Sequence, residues 1–114
     1  MALCTIRQKG NITIAALPPQ IDHVAAIEVE KELRELVLHA PKAILLDFSK
    51  TEYVSSSGLR VFLLLAKITQ TARISFGVFS LTKFVDHIFA ISGFMKVLPV
   101  YENEDAAVRA VTRA

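Results

Sequence analysis

The chain has 114 residues, which is long enough for one domain with its own hydrophobic core. Its formal net charge of +2, without a dense block of Lys and Arg, gives no support to nucleic-acid binding. The longest apolar run, residues 61–66, is too short to cross a bilayer. The only cysteine, Cys4, cannot form an internal disulfide, which agrees with a reducing compartment. We therefore expect one cytoplasmic domain over residues 1–114, with no membrane span.

The first third of the chain predicts a β-hairpin followed by a helix. Two short β-like runs, residues 3–6 and 12–14, flank the turn signal Lys9-Gly10-Asn11. Pro18-Pro19 ends the second strand, because proline lacks the N–H that a ladder needs. Asp22 then stands at the N-cap position of a helix whose apolar residues recur at helical spacing.

The middle of the chain predicts a buried strand, a polar loop and a second helix. Residues 43–48 form a short, nearly continuous apolar run, which suits a strand buried on both faces. Residues 49–55 read as a polar loop, with Tyr53-Val54 as its apolar anchor. The second helix is expected over about residues 57–69.

The last third predicts a strand over residues 74–79 and a helix over 82–91, for which Ser92-Gly93 is the C-terminal stop. A last strand over 97–101 and a final helix capped by Asn103 follow. The order is thus ββαβαβαβα. Strands that alternate with helices indicate an α/β fold with a mixed, mostly parallel sheet, to which the opening hairpin adds an antiparallel edge.

Three consecutive serines, residues 55–57, stand between the central strand and the second helix. They fall at the carboxyl edge of the predicted sheet, where ligand and partner sites are favoured. A helix start offers unpaired backbone N–H groups and the positive end of the helix dipole. A serine there can cap the helix or carry a phosphate, and the pattern alone leaves both open.

The sequence does not indicate an enzyme, a metal site or a cofactor site. No glycine stands two positions before any of the three serines, so the hydrolase elbow Gly-x-Ser-x-Gly is absent. His23, His39 and His87 lack metal-ligand spacing, and there is no Gly-rich phosphate loop. Five phenylalanines are expected in the core, and any left exposed would indicate a partner surface; they are Phe76, Phe79, Phe84, Phe89 and Phe94.

Two segments together resemble the STAS domain, the fold of anti-sigma factor antagonists (anti-anti-sigma factors). They are Ile44-Leu45-Leu46-Asp47-Phe48 and Val54-Ser55-Ser56-Ser57-Gly58-Leu59. The family pattern is an apolar strand ending in aspartate, a short loop, and Asp-Ser-Ser-Gly-Leu opening a helix. Asp22 and Ile91-Ser92-Gly93-Phe94 extend the likeness over nearly the whole chain. The resemblance implies a STAS-like single domain with Ser55 in place of the family's aspartate.

The resemblance also implies a function. The unphosphorylated form would bind an anti-sigma factor that is also a serine protein kinase, and so free a sigma factor. Phosphorylation of Ser56, which matches the family's first serine, would switch the protein off, and a phosphatase would reset it. Because three serines permit a change of register, Ser57 and Ser55 are the alternative acceptors.

Several residues around the serines are expected to bind the partner or to shape the surface that binds it. Asp22 and Ser57 are expected to cap helices, and Asp47 to organise the serine loop by accepting N–H bonds. Gly58 is expected to allow a close approach of backbone or partner at the helix start, and the alternative is a mild packing accommodation. The complete expected set is Asp22, Asp47, Ser55, Ser57, Gly58, Leu59 and Arg60.

Two other functions stay open at this point. The loss of the family's aspartate at Ser55 is compatible with a STAS module that never takes phosphate, such as a scaffold or a transport-complex subunit. The phenylalanine content is compatible with a small ligand in an apolar pocket. The oligomeric state does not follow from the sequence.

Overall fold

The computed structural model describes residues 2–113, and a five-stranded sheet forms its centre. The strands β1 (Thr5–Lys9) and β2 (Ile12–Ala16) are antiparallel to each other, and every later pair of neighbours is parallel. The mostly parallel sheet with an antiparallel edge hairpin is therefore confirmed. In spatial order the strands are β1 (Thr5–Lys9), β2 (Ile12–Ala16), β4 (Ala43–Asp47), β6 (Ser75–Phe79) and β7 (Val100–Tyr101).

A second, smaller sheet was not predicted. It consists of β3 (Gln20–Ile21) and β5 (Tyr53–Val54), which pair in parallel. The interpretation of residues 53–54 as part of a loop is therefore wrong. Each of these strands has two residues, which is too short for hydrophobic alternation to reveal.

The sheet lies between two unequal helical layers. The helices α1 (His23–Leu38), α2 (Ser56–Thr71) and α3 (Lys83–Ser92) share the larger core cluster, and α4 (Glu104–Arg113) packs with the smaller one. The residues of β4 alternate between the clusters: Ile44 and Leu46 join the larger, and Ala43 and Leu45 the smaller. This alternation confirms a strand buried on both faces.

The end of the chain departs from prediction in one strand. Residues 97–101 were expected to form it, but only Val100–Tyr101 do. After the 3-10 turn Phe94–Lys96 the N–H groups of Val97 and Leu98 donate back to the carbonyl oxygen of Phe94, and Pro99 has no N–H for the ladder. Gly93 ends α3 with a φ of 79°, as its position predicted. Asn103 caps α4 as predicted, and its Oδ1 accepts the N–H of Ala106 at 2.9 Å.

The N-terminal segment is attached to α1 by one carboxylate. Glu32 accepts the backbone N–H groups of Leu3 and Cys4 at 2.9 and 2.8 Å. Burial raises the pKa of the Cys4 thiol to about 12, and the charge of Glu32 adds to the rise. The thiol is therefore neutral at physiological pH, and Cys4 serves as a packing residue of the core.

Candidate functional site

The small sheet brings the starts of α1 and α2 side by side. Residues Gln20 and Ile21 of β3 lie opposite Tyr53 and Val54 of β5. The N–H of Ser55 extends this pairing by donating to the carbonyl oxygen of Ile21 at 2.8 Å. Since each strand leads directly into a helix, both helices begin at the same carboxyl edge of the fold.

The two helix starts use the same capping device. The Asp22 carboxylate accepts the N–H of Ala25 at 2.8 Å, and the Ser55 hydroxyl accepts the N–H of Gly58 at 3.2 Å. Asp22 is therefore a helix cap, as predicted. Ser and Asp are both strong N-cap residues, so Ser55 does at this position what an aspartate would do.

The expectation that Ser57 caps α2 is wrong. The helix begins at Ser56, one residue earlier than predicted, because the β3–β5 pairing ends at Ser55. Ser57 is half-buried, and its hydroxyl oxygen lies 2.9 Å from Nδ1 of His23, the first residue of α1. The sequence contains no local signal for this contact, because the contact depends on the β3–β5 pairing, which the sequence did not reveal.

Ser56 differs from both of its neighbours. It is the first residue of α2, and its side chain is exposed. Among residues 2–113 the Ser56 hydroxyl makes no hydrogen bond, whereas Ser55 caps the helix and Ser57 contacts His23. Of the three serines, Ser56 therefore presents the freest hydroxyl to a partner.

Gly58 does allow a close approach, but its nearest neighbours are side chains of the small sheet and not the backbone or partner that was expected. A Cβ at this position would lie 2.9 Å from Cγ2 of Ile21 and 2.9 Å from Cγ1 of Val54. Both neighbours belong to the small sheet, so the lack of a side chain lets α2 start directly against β3 and β5. Leu59, the next residue, is half-buried and packs against the larger core cluster.

Asp47 acts at the beginning of the connection that leads to the serines. Its Oδ1 accepts the N–H of Ser49 at 2.9 Å, two residues further along the chain. Asp47 therefore does organise the connection by accepting an N–H bond, as expected. The donor is Ser49 and not one of the three serines 55–57. Thr51 secures the same connection by donating its hydroxyl to the carbonyl oxygen of Pro18 at 3.0 Å.

Arg60 and an aromatic pair flank the serines. Arg60 is exposed and, with His23 and Ser57, lines a groove of about 150 Å³ between α1 and α2.

Phe84 was expected in the core, but it is 44% exposed and stacks on Tyr53, which is 41% exposed, with ring centroids 6.1 Å apart. The other four phenylalanines fit the expectation, since Phe76, Phe79 and Phe89 are buried and Phe94 is half-buried.

Metal binding and membrane crossing were both considered for the part of the chain that the structure describes. Residues 2–113 contain no group of three His, Cys, Asp or Glu side chains that could hold a metal ion. In the same part of the chain, no helix is long and apolar enough to cross a membrane.

The Ser55 cap leads to a first prediction. Ser55→Ala lowers the free energy of unfolding by about 1 kcal/mol because the N–H of Gly58 loses its acceptor, whereas Ser55→Asp preserves it. Urea denaturation measures both changes. Ser49→Ala is the matched control, since Ser49 is an exposed serine outside the helix starts. A Ser55→Ala protein as stable as the Ser49→Ala protein would contradict the capping role.

The fold and this edge of paired helix starts define a STAS-type α/β domain. The model of the STAS domain matches residues 4–107. The chain belongs to the STAS domain family. It is 32% identical over 110 residues to BtrV of Bordetella bronchiseptica, a candidate anti-sigma factor antagonist, and the match spans 96% of this chain and 95% of BtrV.

Solved structures share the fold. An anti-sigma factor antagonist from Mycobacterium paratuberculosis is 24% identical with a TM-score of 0.85, over 96% of this chain and 92% of that one. SpoIIAA in its unphosphorylated form is 16% identical with a TM-score of 0.81, over 97% of both chains. The phosphorylated form of Bacillus SpoIIAA is 16% identical with a TM-score of 0.71, over 94% of this chain and 98% of that one.

Proposed function

We propose that the protein is an anti-sigma factor antagonist that binds its anti-sigma factor when unphosphorylated and is released when Ser56 carries a phosphate. The observation that carries this proposal is the exposed Ser56 hydroxyl at the first residue of α2, beside two neighbours that are already engaged. Membership of the STAS family and the likeness to BtrV support the antagonist role. SpoIIAA, solved in both states, supports control by phosphate.

The proposed partner face surrounds the two helix starts. Asp22, Ser56 and Arg60 are exposed there, and the Tyr53–Phe84 pair adds an exposed aromatic surface of the kind that anchors protein interfaces. Gly58 is buried, so it shapes this face by its close approach to the small sheet rather than by touching a partner. The residues that form or shape the face are Asp22, Asp47, Ser55, Ser57, Gly58, Leu59 and Arg60.

A phosphate on Ser56 would weaken binding of the partner without unfolding the domain. It adds about −1.5 to −2 charges. The positive end of the helix dipole and the free N–H groups of the first turn tolerate an anion, so the domain itself stays folded. A partner surface fitted to a neutral hydroxyl would have to desolvate a dianion, which is strongly unfavourable.

In this scheme the protein acts by binding and not by catalysis. The anti-sigma factor would also be the serine protein kinase, and a phosphatase would restore the binding form. The exchange would occur in the cytoplasm, where sigma factors act. The alternative, a STAS scaffold or transport-complex subunit without phosphate, requires that Ser56 is never modified.

Phosphate mapping tests the proposal. The chain is incubated with ATP and its cognate anti-sigma kinase, and the modified residue is located by mass spectrometry. We expect a single phosphate on Ser56 and a loss of nearly all incorporation in Ser56→Ala. No phosphate on any of residues 55–57 would overturn the switch and favour the scaffold, for which genes of transporter subunits beside the coding gene would be independent support.

A further inference from the structure

The hydroxyl groups of the three consecutive serines differ in their hydrogen bonds and in their exposure. The Ser55 hydroxyl accepts the N–H of Gly58 as the cap of α2. The Ser57 hydroxyl is 2.9 Å from Nδ1 of His23, across the gap between α2 and α1. Only Ser56 is exposed and without a hydrogen bond from its hydroxyl among the residues described. Adjacent residues of the same type thus differ in their freedom to react, and the cause at Ser57 is a histidine from another helix.

We infer that His23 selects the phosphate acceptor by holding the hydroxyl of Ser57 and leaving Ser56 as the reactive serine. The inference rests on the proposed phosphorylation and adds the residue that decides its position. His23 is a positioning residue in this sense, since it acts through Ser57.

The chemistry of phosphoryl transfer explains the selection. A bond forms between the serine Oγ and the γ-phosphorus of ATP, and the bond from that phosphorus to the β–γ bridging oxygen breaks. The electron pair of the broken bond leaves with ADP, and the hydroxyl proton passes to a base of the kinase. A hydroxyl bonded to an imidazole must first give up that bond and turn away, so Ser57 reacts from a minor conformation.

The position of Ser57 works in the same direction. Ser57 is half-buried and lines the groove of about 150 Å³ between α1 and α2. Three charged or titratable side chains line it, namely His23, Glu30 and Arg60. The Arg60 guanidinium would attract a phosphate on Ser57, and the Glu30 carboxylate, which pairs with Arg34 at 2.9 Å, would repel it. The selection therefore rests on the hydrogen bond and the burial of Ser57 and not on the charges of the groove.

The contact depends on the fold and not on flexible reach. His23 is the first residue of α1 and Ser57 the second residue of α2. The β3–β5 pairing brings these two positions together, and the Asp22 cap fixes the backbone immediately before His23. A histidine at this place therefore meets Ser57 and not Ser56.

The test compares four proteins: wild type, Ser56→Ala, His23→Ala and the double variant. Each is incubated with ATP and the anti-sigma kinase that binds the wild-type chain, and phosphate on residues 55–57 is quantified by mass spectrometry. We expect wild type to carry phosphate on Ser56 and Ser56→Ala to carry little. The double variant should regain phosphate on Ser57, about two- to tenfold above Ser56→Ala, the factor expected for release of one hydrogen bond.

Two controls separate selection from a loss of structure. His23→Asn keeps a hydrogen-bonding side chain and should return the distribution toward that of wild type. His39→Ala removes an exposed histidine at the other end of α1, whose Nδ1 contacts the carbonyl oxygen of Glu35, and should leave the distribution unchanged. Circular dichroism establishes that each variant is folded.

The outcomes distinguish failure of this inference from failure of the proposed function. Phosphate on Ser56 in wild type with none gained on Ser57 in the double variant would overturn the role of His23 and leave the switch standing. Phosphate on Ser57 in wild type that disappears in His23→Ala would also overturn it, because the histidine would then activate Ser57. No phosphate on any serine of wild type would overturn the proposed function, and the inference with it.

Discussion

Ser56→Asp should weaken binding of the anti-sigma factor more than about a hundredfold, which corresponds to a loss of roughly 3 kcal/mol. The new carboxylate would stand on the exposed first residue of α2, in the middle of the proposed contact. Its desolvation on binding is the source of the loss. The fold should not suffer, because α2 has no acidic residue in its first turn and an anion there is favourable by a few tenths of a kcal/mol.

Ser56→Asn is the matched control, since asparagine has nearly the shape of aspartate without the charge. We expect it to bind within about tenfold of wild type, and isothermal titration calorimetry measures all three proteins. Equal weakening by Asp and Asn would show that size and not charge governs the contact. If Ser56→Asp bound the anti-sigma factor as tightly as wild type, Ser56 would lie outside the interface.

The sequence was sufficient for the main sheet because its elements carry strong local signals. Residues 43–46 form an apolar run whose successive members are buried in alternate clusters, and Gly93 and Asn103 mark helix boundaries by their backbone and side-chain chemistry. Such signals are contained in a few neighbouring residues. They do not depend on which distant segment packs nearby.

The geometry of the candidate site could not be obtained in the same way. Any of the three adjacent serines could cap a helix, since they are the same residue type. Ser55 is the N-cap because its N–H donates to Ile21, which lies 34 positions earlier in the chain. The His23–Ser57 contact and the exposure of Phe84 beside Tyr53 likewise depend on long-range placement. The two-residue strands that set this placement leave no periodic pattern.

Gly58→Ala should lower the free energy of unfolding by about 1–3 kcal/mol, although alanine is the better helix former. The added methyl group would lie 2.9 Å from Cγ2 of Ile21 and from Cγ1 of Val54. Both neighbours are β-branched and buried, so neither can turn aside without leaving its rotamer. The start of α2 would have to move away from β3 and β5, and the partner face would move with it. Urea denaturation measures the loss of stability.

A double-mutant cycle with Val54→Ala tests the steric cause. Val54→Ala removes one of the two obstructing methyl groups and is itself destabilising, because Val54 is buried in the larger core cluster. If the clash is the cause, Gly58→Ala costs less in the Val54→Ala background than in wild type. Additivity within about 0.5 kcal/mol would instead trace the effect to the helix start itself. A relieved clash would show that α2, and with it Ser56, is held in place by contact with the small sheet.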